Sequence, residues 1–232
     1  MPRRPSPFPP GRRNFLPGTL PAPSSALASA LCLALALAMV PAGSALAREG
    51  WPVLSSSNYL PSTAGPAFTV SYPPWFERKG LVHDYPAAPS GGPQNMLFIA
   101  EGKGRETGMP FGLAVMTLNL SPDELAMFGN SGEAYFWEAL GRDMAKSGTF
   151  LGSKPMSFKG MRAAEIQVSA DTGNGNLADF HAQRWVMNGS SVSILYCMFT
   201  APKDTIAKEG TAMLGLPEVA GICTPFFDSL SY

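Results

Sequence analysis

The dipeptide Asn188-Gly189 constrains the fold more than any other feature of the sequence. Asn-Gly between alternating apolar residues is the strongest short hairpin signal, because both residues tolerate the backbone of a tight turn whose twist matches the strands it joins. It predicts that Asp179 to Met187 and Ser190 to Thr200 are antiparallel neighbours. Lys159-Gly160 makes a second tight turn, between Phe150–Phe158 and Arg162–Ala170. In the latter run Ala164, Ile166 and Val168 alternate with Glu165 and Gln167, the period of a half-buried strand. From Ser193 to Phe199 both alternating sets are apolar, which places that strand centrally, covered on each face. The last half of the chain is therefore expected to be an antiparallel meander.

The preceding segments add strands and helices. Ala67 to Tyr72 reads as a strand stopped by Pro73-Pro74, after a loosely ordered lead-in over 48–66 that is rich in Ser, Pro and Gly. Met96–Ala100 and Phe111–Leu118 form a hairpin with a long tip. Ser121-Pro122-Asp123-Glu124 has a capping Ser, a first-turn Pro and a Glu three residues after the cap, and opens a short helix ended by Gly129. Asn130 with Glu133 opens a longer one to about Lys146, where Phe136, Leu140 and Met144 share a stripe beside Trp137. That stripe reads as core rather than a cofactor box. A terminal helical segment spans Leu216 to Leu230, with Pro225 positioned to break or restart it. The expected class is α+β: an antiparallel sheet with a C-terminal meander and helices packed on both faces, in one domain over 67–232.

The N-terminus is different in kind. Arg3, Arg4, Arg12 and Arg13 precede an apolar run from Ala26 to Val40 and the sequence Ser44-Ala45-Leu46-Ala47. A basic region, a short apolar region and an Ala-x-Ala end make a secretory signal, with cleavage expected between Ala47 and Arg48. The competing reading, a retained membrane anchor, needs about 20 apolar residues, and Pro41, Gly43 and Ser44 cut the run short. Arg12-Arg13-Asn14-Phe15-Leu16 resembles a twin-arginine export motif but has Gly11 and Pro17 where Ser or Thr and Lys are usual, so the Sec and twin-arginine routes both stay open. Cys32 follows Leu31, where lipid attachment wants a small residue.

Removal of 47 residues and their four arginines leaves 13 basic against 17 acidic side chains, a net charge of −4. A mildly acidic domain without a basic run is a poor partner for nucleic acid, and no stable membrane span is expected after processing. Cys197 and Cys223 are then the remaining cysteines, and in an oxidising compartment they are expected to form a disulfide; the alternative is two buried free thiols.

The order of elements, with Phe68-Thr69-Val70-Ser71-Tyr72-Pro73-Pro74-Trp75, the stretch from Lys159 to Thr200, and Phe226-Phe227-Asp228-Ser229-Leu230, resembles the PsbP-like family and its bacterial periplasmic relatives. These are structural positions covering most of Ala67 to Tyr232. The resemblance implies an α/β/α sandwich and non-enzymatic work, binding or stabilising a partner. It transfers neither a photosystem role nor a ligand residue.

Motifs for bond chemistry do not assemble. Gly102, Gly104 and Gly108 superficially suggest a phosphate loop, but their spacing is wrong and the run joins two strands, so it reads as a flexible hairpin tip. Cys-x-x-Cys and Gly-x-Ser-x-Gly are absent, and His83-Asp84 has no second histidine nearby to complete a metal site. Asn119-Leu120-Ser121 and Asn188-Gly189-Ser190 match the glycosylation sequon, by chance beside a bacterial-type signal. No catalytic residue, metal or cofactor is expected.

Three functions compete: a periplasmic binding or accessory module with an unknown protein partner or ligand, an enzyme with a scattered site, and a carrier of a small apolar ligand. The favoured one is the first; a cavity of several hundred Å³ favours the third. The third also draws on 45% hydrophobic composition with 12 Met and 14 Phe, part of which is spent in the signal and core. The expected binding surface is one face of the Asn188-Gly189 hairpin. With Met187 opposite Ser190, the register pairs Trp185 with Val192, Gln183 with Ile194 and His181 with Tyr196. His181, Gln183, Trp185 and Tyr196 then share a face that mixes rings and hydrogen-bonding groups. The alternative is that the helix around Phe136 and Trp137 covers this face and makes it core.

Overall fold

The computed structural model describes residues 48–85, 94–129, 134–145, 148–173 and 175–232. The expected cleavage residue Ala47, the Asn130–Glu133 cap and Lys146 lie outside these residues. Strands β1 (Val53–Ser55) and β2 (Thr69–Ser71) form a small antiparallel pair. Seven further strands form one open sheet: β3 (Glu77–Tyr85), β4 (Gln94–Lys103), β5 (Pro110–Asn119), β6 (Gly148–Phe158), β7 (Met161–Asp171), β8 (Leu177–Asn188) and β9 (Ser191–Pro202). Their spatial order is β3-β4-β5-β9-β8-β7-β6, with every neighbouring pair antiparallel. β9, apolar on both faces in sequence, is the middle strand.

Among the described residues the helices are few: α1 (Pro122–Phe128), α2 (Ala134–Met144), α3 (Lys203–Glu209) and α4 (Pro217–Asp228), with 3-10 segments at Ser56–Asn58, Ser62–Ala64 and Gly210–Gly215. The side chains of the sheet divide between two apolar clusters. Leu113, Val115, Phe180, Ala182, Leu195 and Phe199 belong to the larger, together with Val219, Ile222, Phe226 and Phe227 of α4. Ala164, Ile166, Trp185, Ile194 and Tyr196 belong to the smaller, together with Trp137 of α2. Gly141 lets α2 close on the strands, since a Cβ there would stand 2.4 Å from the Phe150 ring and 3.1 Å from Ile166.

The turn of the central hairpin sits one residue later than expected. Asn188 pairs with Ser191, so the loop residues are Gly189-Ser190 and not Asn188-Gly189. Gly189 alone takes a positive φ, +62°, as a turn with glycine at its first loop position requires. Each partner therefore moves along by two: Trp185 faces Ile194, Gln183 faces Tyr196 and His181 faces Met198. Because strands alternate with period two, this change leaves every side chain on its expected face. At the other tight turn the expected residues Lys159 and Gly160 have φ of 51° and 80°, and Phe158 pairs with Met161.

Four segments depart from the sequence reading. The lead-in over 48–66 is not loose: Trp51, Leu54 and Ala64 are buried, and the Ser56 hydroxyl accepts the backbone N–H of Phe68 at 2.8 Å. β3 is not legible in the sequence because, as an edge strand with an irregularity between Arg78 and Leu81, it has no apolar alternation. α3 carries no apolar stripe in the sequence, since of its seven residues only Ile206 is buried. Pro225 does not break α4. It has no N–H for the carbonyl four residues earlier, that of Gly221, and Arg48 Nη1 donates to that oxygen instead at 3.2 Å.

Candidate functional site

The expected recognition surface is not on the outside of the molecule. Gln183, Trp185 and Tyr196 are 2%, 4% and 7% exposed, and His181 is half-buried. Trp137 of α2 is fully buried and stands edge-on to Trp185, with ring centroids 6.3 Å apart. The Trp185 indole N–H is satisfied by the Gln183 carboxamide oxygen at 2.9 Å. The alternation that grouped these residues was right; what corrects the reading is burial, in which Trp137 of α2 packs on Trp185 and three of the four side chains belong to the core.

The disulfide is present: Cys197 of β9 and Cys223 of α4 are bonded, and both are fully buried. His83 is exposed and lies edge-on to Phe98, and among the described residues no group of three His, Cys, Asp or Glu could hold a metal ion. The glycine-containing tip between β4 and β5 does bind an anion, but one of this chain's own. The backbone N–H groups of Glu106 and Thr107 donate to the Glu218 carboxylate at 2.7 and 3.1 Å, and the Thr107 hydroxyl donates to it as well. Gly104 is needed there, since a Cβ would stand 2.3 Å from the same carboxylate. The tip is also held by Arg105, whose guanidinium lies 3.9 Å above the Trp75 ring.

The strongest candidate for a site is a cleft of about 590 Å³ between α3 and the ends of β6 and β7. Leu151, Ala178 and Ile206 form its apolar floor, and Thr149, Ser169 and the Lys203–Asp171 pair supply polar groups. Small residues, Ala170, Ala178 and Ala207 among them, leave this space because no long side chain projects into it. Lys203 opens α3, its backbone N–H donates to the Asn176 carbonyl at 2.7 Å, and its ammonium meets Asp171 at 2.8 Å. The Lys203 hydrogen bond, with a second from the Gly173 N–H, lowers the Asp171 pKa below the ordinary carboxylate value. The cleft thus offers an apolar body site next to a charge pair of no net charge. Sequence reasoning missed it because its signals, a Pro202-Lys203-Asp204 helix start and scattered alanines, are too common to single out.

His181 lies in a second, smaller groove with Asp179 and Thr200. The grouping resembles a catalytic His–acid–hydroxyl set, but the Thr200 hydroxyl donates to Asp179 at 2.6 Å and not to His181. A nucleophile must hydrogen-bond to its base, and here it does not. Burial pushes the His181 pKa down, against the pull of Asp179.

Among the described residues no helix is long and apolar enough to cross a membrane. No family model matches the chain, and no curated protein matches it. Among solved structures it is similar to PA94, a Pseudomonas aeruginosa protein of unknown function, with 9% identity over 63% of this chain and 85% of that one and a TM-score of 0.27.

Proposed function

We propose that this chain is an exported, non-catalytic binding module of PsbP-like α/β/α architecture, processed between Ala47 and Arg48 into the periplasm, which holds a small amphipathic ligand in the cleft beneath α3. The observation that carries the reading is the cleft itself: about 590 Å³, with a floor of small apolar side chains and one charge pair at its polar end. That volume and that mixture are typical of small-molecule sites. The Cys197–Cys223 bond supports an oxidising destination. Ligand carriage and service to a protein partner are compatible, since the bound molecule can be delivered to a periplasmic complex.

Native mass spectrometry of the protein recovered from cells tests the proposal. The wild type is expected to carry a small-molecule adduct, and Ala207→Trp, which fills the cleft from α3, is expected to lose it. No adduct in either form, or equal adducts in both, rejects the cleft as the site. N-terminal sequencing of the same material is expected to begin at Arg48; a chain beginning near Met1 in the membrane fraction rejects export by cleavage.

A further inference from the structure

A row of side chains crossing three neighbouring strands has a gap in it. His181 of β8 faces Met198 of β9, and Met198 faces Gly112 of β5. Glycine inside an interior strand weakens it, and usually marks a bulge or a close backbone approach. A bulge in β4, between Phe98 and Ala100, does lie beside Gly112, but no backbone approaches it closely. Its pairing with β9 runs without a register shift, and a Cβ there would meet only Met198 Cε, at an ordinary 3.5 Å. What the missing side chain does is open a groove of about 240 Å³.

The groove is lined by the backbone of Gly112, by Met198 opposite it on β9, and by Phe98 further along β4, both side chains half-buried. One wall is Lys79, held by Glu77 at 3.1 Å and Glu101 at 2.6 Å. The other is His181 with Asp179, whose carboxylate is engaged by Thr200. Lys79 and Asp179 therefore already have partners, whereas the half-buried His181 imidazole makes no hydrogen bond among the described residues. Kept neutral by burial at pH 7, it offers one donor and one acceptor.

We propose that this groove binds a small, uncharged aromatic molecule carrying a hydroxyl group, of the phenol class. A cavity of about 150 Å³ holds benzene, so this groove has the volume for one ring with a substituent. A ring lying on the Gly112 backbone gains sulfur–aromatic contact with Met198 and ring contact with Phe98. Its hydroxyl reaches His181, a wall group that makes no hydrogen bond among the described residues. Three carboxylates, Glu77, Glu101 and Asp179, against one ammonium, Lys79, disfavour an anionic ligand. The groove shares no lining residue with the cleft beneath α3, so this assignment stands or falls separately.

Titration of the protein with p-cresol, followed by amide chemical shifts, tests it. Saturable shifts are expected around Gly112, His181 and Met198, with toluene binding roughly tenfold or more weakly because it leaves His181 unpaired. Gly112→Val is expected to abolish p-cresol binding while the thermal transition is retained, and His181→Leu to bring p-cresol down to the level of toluene. Absence of saturable shifts, equal binding of toluene, or unchanged affinity in the folded His181→Leu variant overturns the proposal. N-acetyltyrosinamide binding more tightly than p-cresol would also overturn it, by placing the ring on a partner protein.

Discussion

Glu218, in the first turn of α4, accepts both the backbone N–H and the hydroxyl of Thr107 at the tip of the β4–β5 hairpin. A loop that reads as free in sequence is thereby fastened to the terminal helix, and the fastening depends on charge. Burial opposes ionisation of Glu218, but hydrogen bonds from Glu106, Thr107 and Arg105 outweigh it and lower its pKa below 4.5. A carboxylate with a depressed folded-state pKa adds stability that is present above its unfolded value and is lost as pH falls through the folded one. Glu218→Gln is expected to cost about 1 kcal/mol at pH 7. Urea melts of wild type and variant should converge as pH falls from about 4.5; a difference that is unchanged at pH 3 would show that the carboxylate charge is not what matters.

The Cys197–Cys223 bond closes a loop of sequence separation 26, for which restriction of the unfolded chain predicts about 3.5 kcal/mol of stabilisation. The double variant Cys197→Ala/Cys223→Ala is expected to lose about that much, with the same sheet by circular dichroism. Because both sulfurs are fully buried, thiol reagents should label neither in the native state. After denaturation they should label both only if reductant is added.

Trp185→Ala separates a core residue from a surface one. With Trp185 4% exposed and packed on Trp137, truncation is expected to cost about 3–5 kcal/mol. Had the hairpin face been open, the loss would fall on partner binding with stability nearly unchanged. A change under about 1 kcal/mol in chemical unfolding would contradict the packing described.

Arg184 ties β8 to β7 and to the end of α4. Its side chain is 6% exposed, pairs with Glu165 at 2.7 Å and Asp228 at 2.5 Å, and lies between the rings of Phe158 and Phe227. Among the described residues its Nε is buried without a hydrogen-bond partner. Arg184→Met keeps the stem and removes the charge. Because Glu165 and Asp228 are 23% and 44% exposed, the stranded carboxylates reach water. The expected cost is about 2 kcal/mol, below the range for a fully buried pair. Denaturant midpoints check it, and Asp228→Asn should cost less than Arg184→Met.

The sequence by itself determined the strands of the C-terminal meander, their faces and the central place of β9, because each depends on local periodicity and on turns that few residues can make. Gly189 and Gly160 sit at the turns because glycine tolerates positive φ, and alternation sorted His181, Gln183 and Trp185 from Phe180 and Ala182 before any packing was known. The pairing of Cys197 with Cys223 was legible as an expectation, since removal of the expected signal would leave those two cysteines to pair. Tertiary structure decided what covers each face. Nothing local in Phe136-Trp137 says which strands α2 will meet, so Trp185 reads equally as surface or core until Trp137 packs on it. It also decided where space remains. The cleft beneath α3 and the groove at Gly112 exist because small residues distant in sequence are brought together with nothing to fill the gap, and an absence of side chains leaves no pattern along the chain. The fastening of the β4–β5 tip is of the same kind: the backbone N–H groups that hold Glu218 belong to every residue, and only the fold aims them at one carboxylate.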